Sequence, residues 1–343
     1  VQWITFAEPG QLGRLSGNYT FDINRYCISY QSSRGNDLED CMKMNQIAGV
    51  VVPVVTPVDS QDRVDEEAYR GFLRHLIEAG VHGIFVGGSA GEGSLLTFVE
   101  WERMCEIAFE ECQGKVHLLG GTLDTSTKRV IERAKALAAI GYENFVVLPT
   151  FYLKLTVPDE HLRLFGECKE ALGDLNMVVY NLPSISGSSV PVEVMCDMTQ
   201  RGWITCCKDT SEDMTYFSRL LSEAGPLGLE VLMGSERHAA EALLMGARGI
   251  VPVCANFEPW TFVAAYESRE DTEAMEKYKE RILVLGQNVL VRPRLWVSGA
   301  KYAVATMGFG SGKPVSPGEP LSLAEQRDID SFLSNSERPG VKT

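Results

Sequence analysis

From residue 49 to residue 257 the chain alternates between short apolar, β-branched runs and stretches whose apolar residues recur every three or four positions. No other feature restricts the fold as strongly. Eight such runs occur: "VVVPVVT" (50–56), "GIFVG" (83–87), "HLLGGT" (117–122), "NFVVLP" (144–149), "MVVYN" (177–181), "ITCCK" (204–208), "EVLMG" (230–234) and "GIVPV" (249–253). Runs apolar on both faces suit parallel strands covered by helices on each side. The stretches between them, such as "DEEAYRGFLRHLIEAG" (65–80) and "SERHAAEALLMGA" (235–247), carry the helical period, and several end at glycine, as a helix C-terminus does. Eight βα units in this span predict an α/β fold of the (β/α)8 TIM-barrel type rather than an open doubly wound sheet. The Gly-x-Gly-x-x-Gly phosphate loop that an open nucleotide-binding sheet would carry is absent from the sequence.

After Phe257 the alternation stops, and helical segments are expected at about 258–288, 294–308 and 321–334, separated by "RPR" and "GKPVSPGEP". The domain reading is therefore an N-terminal extension of residues 1–46, a barrel of residues 47–257, and a C-terminal helical domain and tail of residues 258–343. The first 45 residues lack a basic start followed by a continuous apolar run, which makes them a poor signal peptide, and no chemistry is assigned to them.

Composition removes several function classes. A net charge of −14 over 343 residues and a pI near 4.9 disfavour nucleic acid and anionic membrane as partners, since both are bound by clustered Lys and Arg. No apolar run reaches the length of a membrane span. The nine cysteines show no Cys-x-x-Cys spacing, which reads as reduced thiols of a cytoplasmic protein rather than a disulfide framework or zinc site. His75, His82, His117, His161 and His238 form no metal-binding spacing, so no metal is expected. A small molecule is the partner that remains.

In a barrel of this type, functional groups sit where strands end at the C-terminal face. There the predicted strands place Gly88, Ser89 and Ala90 (second), Tyr152 in the loop after the fourth, Tyr180 (fifth), Lys208 (sixth), Gly234 and Glu236 (seventh) and Pro252 to Asn256 (eighth), with Val251 just before them a further candidate for binding substrate. Lys208 is the telling one, because a charged amine closes a run that otherwise suits burial. On one reading the strand simply ends there, with Lys208 opening a solvated loop. An amine between apolar walls, however, is a nucleophile available to a carbonyl, as in Schiff-base enzymes. The loop "GGSAGEGSLLT" (87–97) can turn successive backbone amides toward a carboxylate, or its glycines can serve a tight turn alone. Tyr180 can pack as a core aromatic or move protons at a bound intermediate.

The segments "GGSAGE", "VVYNLPSISG" and "CCKDTSED", in this order, resemble the signatures of the dihydrodipicolinate synthase / N-acetylneuraminate lyase superfamily. The resemblance extends over "VVPVVTPVD" and "GARGIVPVCAN", from about Ile47 to Leu333. It implies a pyruvate-dependent class I aldolase that works through a lysine Schiff base, needs no external cofactor, and assembles as a homotetramer or dimer. It places the Schiff-base lysine at Lys208, the proton-handling tyrosine at Tyr180, the carboxylate loop at Ser89 and Ala90, and at Tyr152 a tyrosine that reaches a neighbouring subunit's site. Two departures stand out. Ala90 replaces the usual hydroxyl residue, and Ile185 stands where a true dihydrodipicolinate synthase has an arginine for the carboxylate of its aldehyde substrate. Thr210 resembles the lyase branch, whose acidic sugar-binding pair is only half matched by Glu236 and Arg237. The expectation is a Schiff-base lyase acting on a 2-oxo acid, by aldol cleavage or condensation or by dehydration of a 2-keto-3-deoxy sugar acid. The alternatives are dihydrodipicolinate synthase itself and a barrel that binds a 2-oxo acid without turning it over.

Overall fold

In the computed structural model, residues 46–291 and 296–335 are described. The reading of residues 1–46 as an extension lies, but for its last residue, outside them. Eight parallel strands close into a barrel in sequence order, each hydrogen-bonded to the next and β8 to β1: β1 Gly49–Pro53, β2 Gly83–Val86, β3 His117–Gly121, β4 Asn144–Val147, β5 Asn176–Asn181, β6 Ile204–Asp209, β7 Glu230–Met233 and β8 Gly249–Ile250. All eight predicted runs are strands. Most end a few residues early, because the chain leaves the barrel at its mouth to form loops. β8 is the shortest, since Pro252 has no N–H for the ladder and the chain turns directly into the helical turn Val253–Asn256.

Strand periodicity sorts the core into two layers. Val178 and Tyr180 of β5 and Cys206 of β6 point into the barrel, beside Val51, Phe85 and Leu232. Met177, Val179 and Cys207 point outward against the helices. Helix α1, Glu66–Glu78, shows how the outer layer is made: Tyr69, Phe72, Leu73 and Leu76 are buried on one face, and the Asp65 carboxylate accepts from the Ala68 N–H at 3.1 Å to cap its start. Burial of each such side chain contributes about 1.5–3 kcal/mol before the cost of ordering it.

Beyond the barrel, the segment expected as one helix over 258–288 is two, α2 Pro259–Glu267 and α3 Thr272–Leu285. Asp271 separates them, its carboxylate accepting from the Glu273 and Ala274 N–H groups at 3.0 Å each. Helices α4, Trp296–Thr306, and α5, Leu323–Asn335, complete the described chain. The C-terminal region reaches back to the barrel mouth through one buried ion pair: Lys301 Nζ lies 2.6 Å from Glu92 Oε2, with the two side chains 2% and 3% exposed. Among the described residues, no helix is long and apolar enough to cross a membrane.

Candidate active site

Lys208 lies two residues past Cys206 on the inward face of β6, so the period of the strand aims its side chain into the barrel. It is 6% exposed, and no hydrogen bond or ion pair to its amine is found among the described residues. Its Nζ instead faces two rings, 4.2 Å from the centre of Tyr180 and 5.3 Å from that of Phe85. The rings meet edge to face at 6.0 Å. Tyr180 and Lys208 are Cα partners across the β5–β6 pair, so the register that builds the sheet also brings phenol and amine together.

Next along both strands, Asn181 Nδ2 donates to Asp209 Oδ1 at 2.7 Å and Ser211 Oγ donates to Asp209 Oδ2 at 2.9 Å. The Val190 N–H donates to Asn181 Oδ1 at 3.0 Å. Burial pushes the Asp209 carboxyl up to about 6, and the hydrogen bonds from Asn181 and Ser211 hold it from rising further. This network fixes the ends of the two strands that carry Tyr180 and Lys208.

The other predicted residues surround the amine unevenly. Gly234 lies against it: a Cβ there would sit 2.7 Å from Lys208 Cε and 2.0 Å from Thr210 Oγ1, so no larger residue fits. Glu236 accepts from the Val253 and Cys254 N–H groups; burial raises its carboxyl, with those amides and the charge of Lys208 opposing the rise. Val251 packs in the inner core with Tyr180. Two buried hydroxyls, Ser89 Oγ and Thr210 Oγ1, have no hydrogen-bond partner among the described residues. An unsatisfied buried hydroxyl is costly unless something arrives to bond it.

The loop after β2 is held from below by Thr56, whose hydroxyl donates to the Gly91 carbonyl at 2.7 Å. Its turn is closed by the Glu92 N–H on Ser89 O and the Gly93 N–H on Gly88 O. The amides of Ser89 and Ala90 have no acceptor among the described residues. Several of its glycines are sterically required as well: a Cβ on Gly93 would lie 2.3 Å from the Gly87 carbonyl oxygen, and one on Gly88 2.7 Å from the Phe85 ring. The two readings of this loop therefore coexist, with glycines that close the turn and amides left free by it.

Two predicted residues stand apart. Tyr152 is 90% exposed with a φ of +81°, and it touches none of these groups within its own chain. Ile185 is 47% exposed and lines a cavity at the mouth together with Ser89. Arg237, on the loop after β7, is exposed. Sequence reading missed Phe85 as the second wall around the amine, although its inward place on β2 follows from period two. It also missed the Asn181–Asp209 bond and the Glu92–Lys301 pair, which join positions 28 and 209 residues apart with no local signal. Among the described residues there is no group of three or more His, Cys, Asp or Glu placed to hold a metal ion.

Comparisons with known proteins give the family and the fold. The model of the dihydrodipicolinate synthetase family matches residues 46–336. An uncharacterised DapA-like lyase of Halobacterium salinarum is 30% identical over 289 residues, 84% of this chain and 93% of that one. A 4-hydroxy-tetrahydrodipicolinate synthase of Methanothermobacter thermautotrophicus is 31% identical over 219 residues, covering 62% and 76% of the two chains. Among solved structures, YagE of E. coli K12, a member of the dihydrodipicolinic acid synthase family in complex with pyruvate, superposes with a TM-score of 0.78 at 23% identity, over 84% of this chain and 98% of its own. Dihydrodipicolinate synthase of Bacteroides thetaiotaomicron gives 0.80 at 24% identity, over 84% and 98%. At such identities the two superpositions establish the fold alone.

Proposed function

We propose, given that the chain belongs to the dihydrodipicolinate synthetase family, that this lyase works through a Schiff base on Lys208 and acts on a 2-oxo acid whose common fragment is pyruvate. The observation that carries the reading is the Lys208 amine itself, 6% exposed, without an ion-pair partner among the described residues, and set against the Tyr180 ring. An amine in that setting costs stability, and attack on a carbonyl gives the cost a purpose.

The cleavage direction runs as follows for a 4-hydroxy-2-oxo acid. The carboxylate binds the free Ser89 and Ala90 amides with the Ser89 hydroxyl. Lys208 Nζ adds to the C2 carbonyl, whose oxygen leaves as water, giving an iminium. Tyr180, with Ser89 as relay, takes the proton of the C4 hydroxyl; the C3–C4 bond breaks, an aldehyde departs, and the electron pair passes into the iminium to leave an enamine. Protonation at C3 and hydrolysis by one water release pyruvate and restore Lys208. The iminium is the electron sink, so the scheme uses no external cofactor or metal. Condensation is the same sequence reversed, and in dehydration of a 2-keto-3-deoxy acid the iminium loses a C3 proton to give an enamine, whose electron pair expels the C4 hydroxyl, protonated as it leaves, as water.

The relatives that carry the name 4-hydroxy-tetrahydrodipicolinate synthase favour a second reading, condensation of pyruvate with aspartate semialdehyde. Ile185 counts against it, because a carboxylate entering the mouth needs a charge-assisted donor, worth roughly 1.5–3 kcal/mol for each bond to a charged group. Incubation with pyruvate and borohydride tests the main reading: peptide mass spectrometry should find one reduced pyruvyl group per chain, on Lys208. Modification of Lys154 or another lysine in its place would overturn the assignment.

A further inference from the structure

The turn that carries the Ser89 and Ala90 amides closes on Glu92. The Glu92 N–H donates to Ser89 O at 3.2 Å, and its carbonyl accepts from the Leu95 and Leu96 N–H groups at 2.8 and 3.3 Å. Its φ is +53°, in the left-handed region that a residue with a Cβ adopts only where its surroundings hold it there. The side chain shows what holds it. Oε2 lies 2.6 Å from Lys301 Nζ, Oε1 accepts from the Val315 N–H at 2.8 Å, and all three residues are buried. Among the described residues the Lys301 amine has no other hydrogen-bond or ion-pair partner.

Both partners belong to the C-terminal region. Lys301 is on α4, and Val315 follows a stretch laid across the loop after β1: a Cβ on Gly310 would lie 2.7 Å from Pro57 Cβ, Ser311 Oγ donates to the Val58 carbonyl at 3.0 Å, and Lys313 Nζ lies 2.6 Å from Asp62 Oδ1. This strap is then fastened on Glu92, in the loop after β2. From the barrel side the turn is held by the uncharged bond of the Thr56 hydroxyl to the Gly91 carbonyl, a weaker kind of anchor. The turn also meets the wall of the reacting amine. A Cβ on Gly88 would be 2.7 Å from the Phe85 ring, and Lys208 Nζ is 5.3 Å from the centre of that same ring.

We infer that Glu92 and Lys301 are positioning residues for the 2-oxo acid: through this pair, α4 and the strap hold the left-handed turn that presents the Ser89 and Ala90 amides to the substrate carboxylate. The inference rests on the Schiff-base reading above, in which those amides bind that carboxylate. A bond from an amide to a carboxylate is charge-assisted and weakens as donor and acceptor lose alignment. A turn released from its anchor should therefore bind pyruvate poorly, while a neutral ketone, which makes no charge-assisted bond, loses far less. A pair that served stability alone would not tell the two ligands apart.

The test compares pyruvate with methyl pyruvate, the same skeleton without the charge. The readout is the concentration of each that half-saturates borohydride trapping on Lys208, followed by peptide mass spectrometry on the full chain. The double variant Lys301→Met with Glu92→Gln removes both buried charges together and keeps an oxygen for the Val315 N–H, which favours its folding. Its half-saturating pyruvate concentration should rise by roughly tenfold or more, the share of one bond to a charged group, and that of methyl pyruvate by less than about twofold. Coupling of affinities is reciprocal, so in the unmodified chain saturating pyruvate should slow hydrogen exchange in the peptide that contains Val315, and methyl pyruvate should slow it less. An unchanged pyruvate concentration in the double variant overturns the inference, and so does an equal rise for both probes, which would make the pair a structural contact only. If the variant does not fold, exchange at Val315 that pyruvate leaves unchanged in the unmodified chain overturns it as well. Absence of trapping in the unmodified chain overturns instead the Schiff-base reading on which it stands.

Discussion

The β5–β6 pair and the mouth cavity are built by different means. In the first, Tyr180 and Lys208 face each other because their strands are hydrogen-bonded neighbours in register, and Asn181 and Asp209 clasp one residue further along. In the second, Leu95, Phe151, Ile185 and Trp296 come from four loops or helices joined by no ladder. A sheet leaves little freedom to the reacting atoms, whereas loops can change residue by residue without disturbing it. On the Schiff-base reading, the difference teaches that reaction type belongs to the strands and substrate choice to the loops. Changes to the strand pair should therefore remove chemistry, and changes to the mouth should redirect it.

The largest effect should come from Lys208→Arg. A guanidinium stays protonated and cannot add to a carbonyl, so pyruvate trapping and turnover should vanish while the far-ultraviolet circular dichroism stays as it was. Residual trapping would mean that another amine serves. Tyr180→Phe comes next. It removes one hydroxyl and keeps the ring against which Lys208 lies, so turnover should fall by roughly 10²–10⁴-fold, the range for a lost acid–base group. Trapping should persist, because the ring and the amine remain. Unchanged turnover would return Tyr180 to the role of a packing residue.

These two positions were legible in the sequence for a physical reason: a strand of known face and end fixes where its side chains point, and Lys208 and Tyr180 are each within a residue of their strand's end. The eight strands were legible by the same period. The break at Asp271 was harder to see, since Met275, Ile282 and Leu285 of α3 continue an apolar pattern that also runs through α2, and only a short turn from Ser268 to the cap on Asp271 separates the two helices. Of the mouth cavity, only Ser89 and Ile185 were legible. Trp296 and Leu95 meet there through tertiary packing of segments about two hundred residues apart, for which neither period nor motif gives a sign.

The Glu92–Lys301 pair is the buried ionic contact through which the C-terminal helices hold the loop that carries Ser89 and Ala90. Burial raises the Glu92 carboxyl and lowers the Lys301 amine, each opposed by the other's charge, so either group alone would be badly placed. Lys301→Met should cost about 3–5 kcal/mol in urea unfolding, because it strands a buried carboxylate. A double variant, Lys301→Met with Glu92→Gln, should recover much of that loss, since the Gln side chain can still accept from the Val315 N–H. Equal losses in the single and double variants would show that shape rather than charge governs the site. The pair thus joins the two regions: weakening it should loosen the carboxylate loop and raise KM for pyruvate more than it lowers kcat.

The smallest effect belongs to Asp209, and it is a slope rather than a loss. Its carboxyl is raised by burial from an ordinary 3.8 to about 6. A carboxyl that holds its proton more tightly when folded stabilises the folded state fully below the unfolded value, and that contribution drains away as pH rises through the folded one. Between pH 4 and 7 the protein should therefore lose stability from this group as pH increases, by at most about 3 kcal/mol at about 1.4 kcal/mol for each pH unit between the two values. Asp209→Asn keeps the size of the side chain and an oxygen for Asn181 Nδ2, but does not titrate. Its stability relative to the unmodified chain should rise steadily across that window, whatever constant offset the new amide introduces at Ser211. Parallel pH curves for the two proteins, measured by urea unfolding, would show that Asp209 remains ionised throughout. The Asn181 bond, then, would be charge-assisted across the whole pH range, and the strand pair would be held together at its mouth end by an anion that the mouth's own apolar wall does not reach.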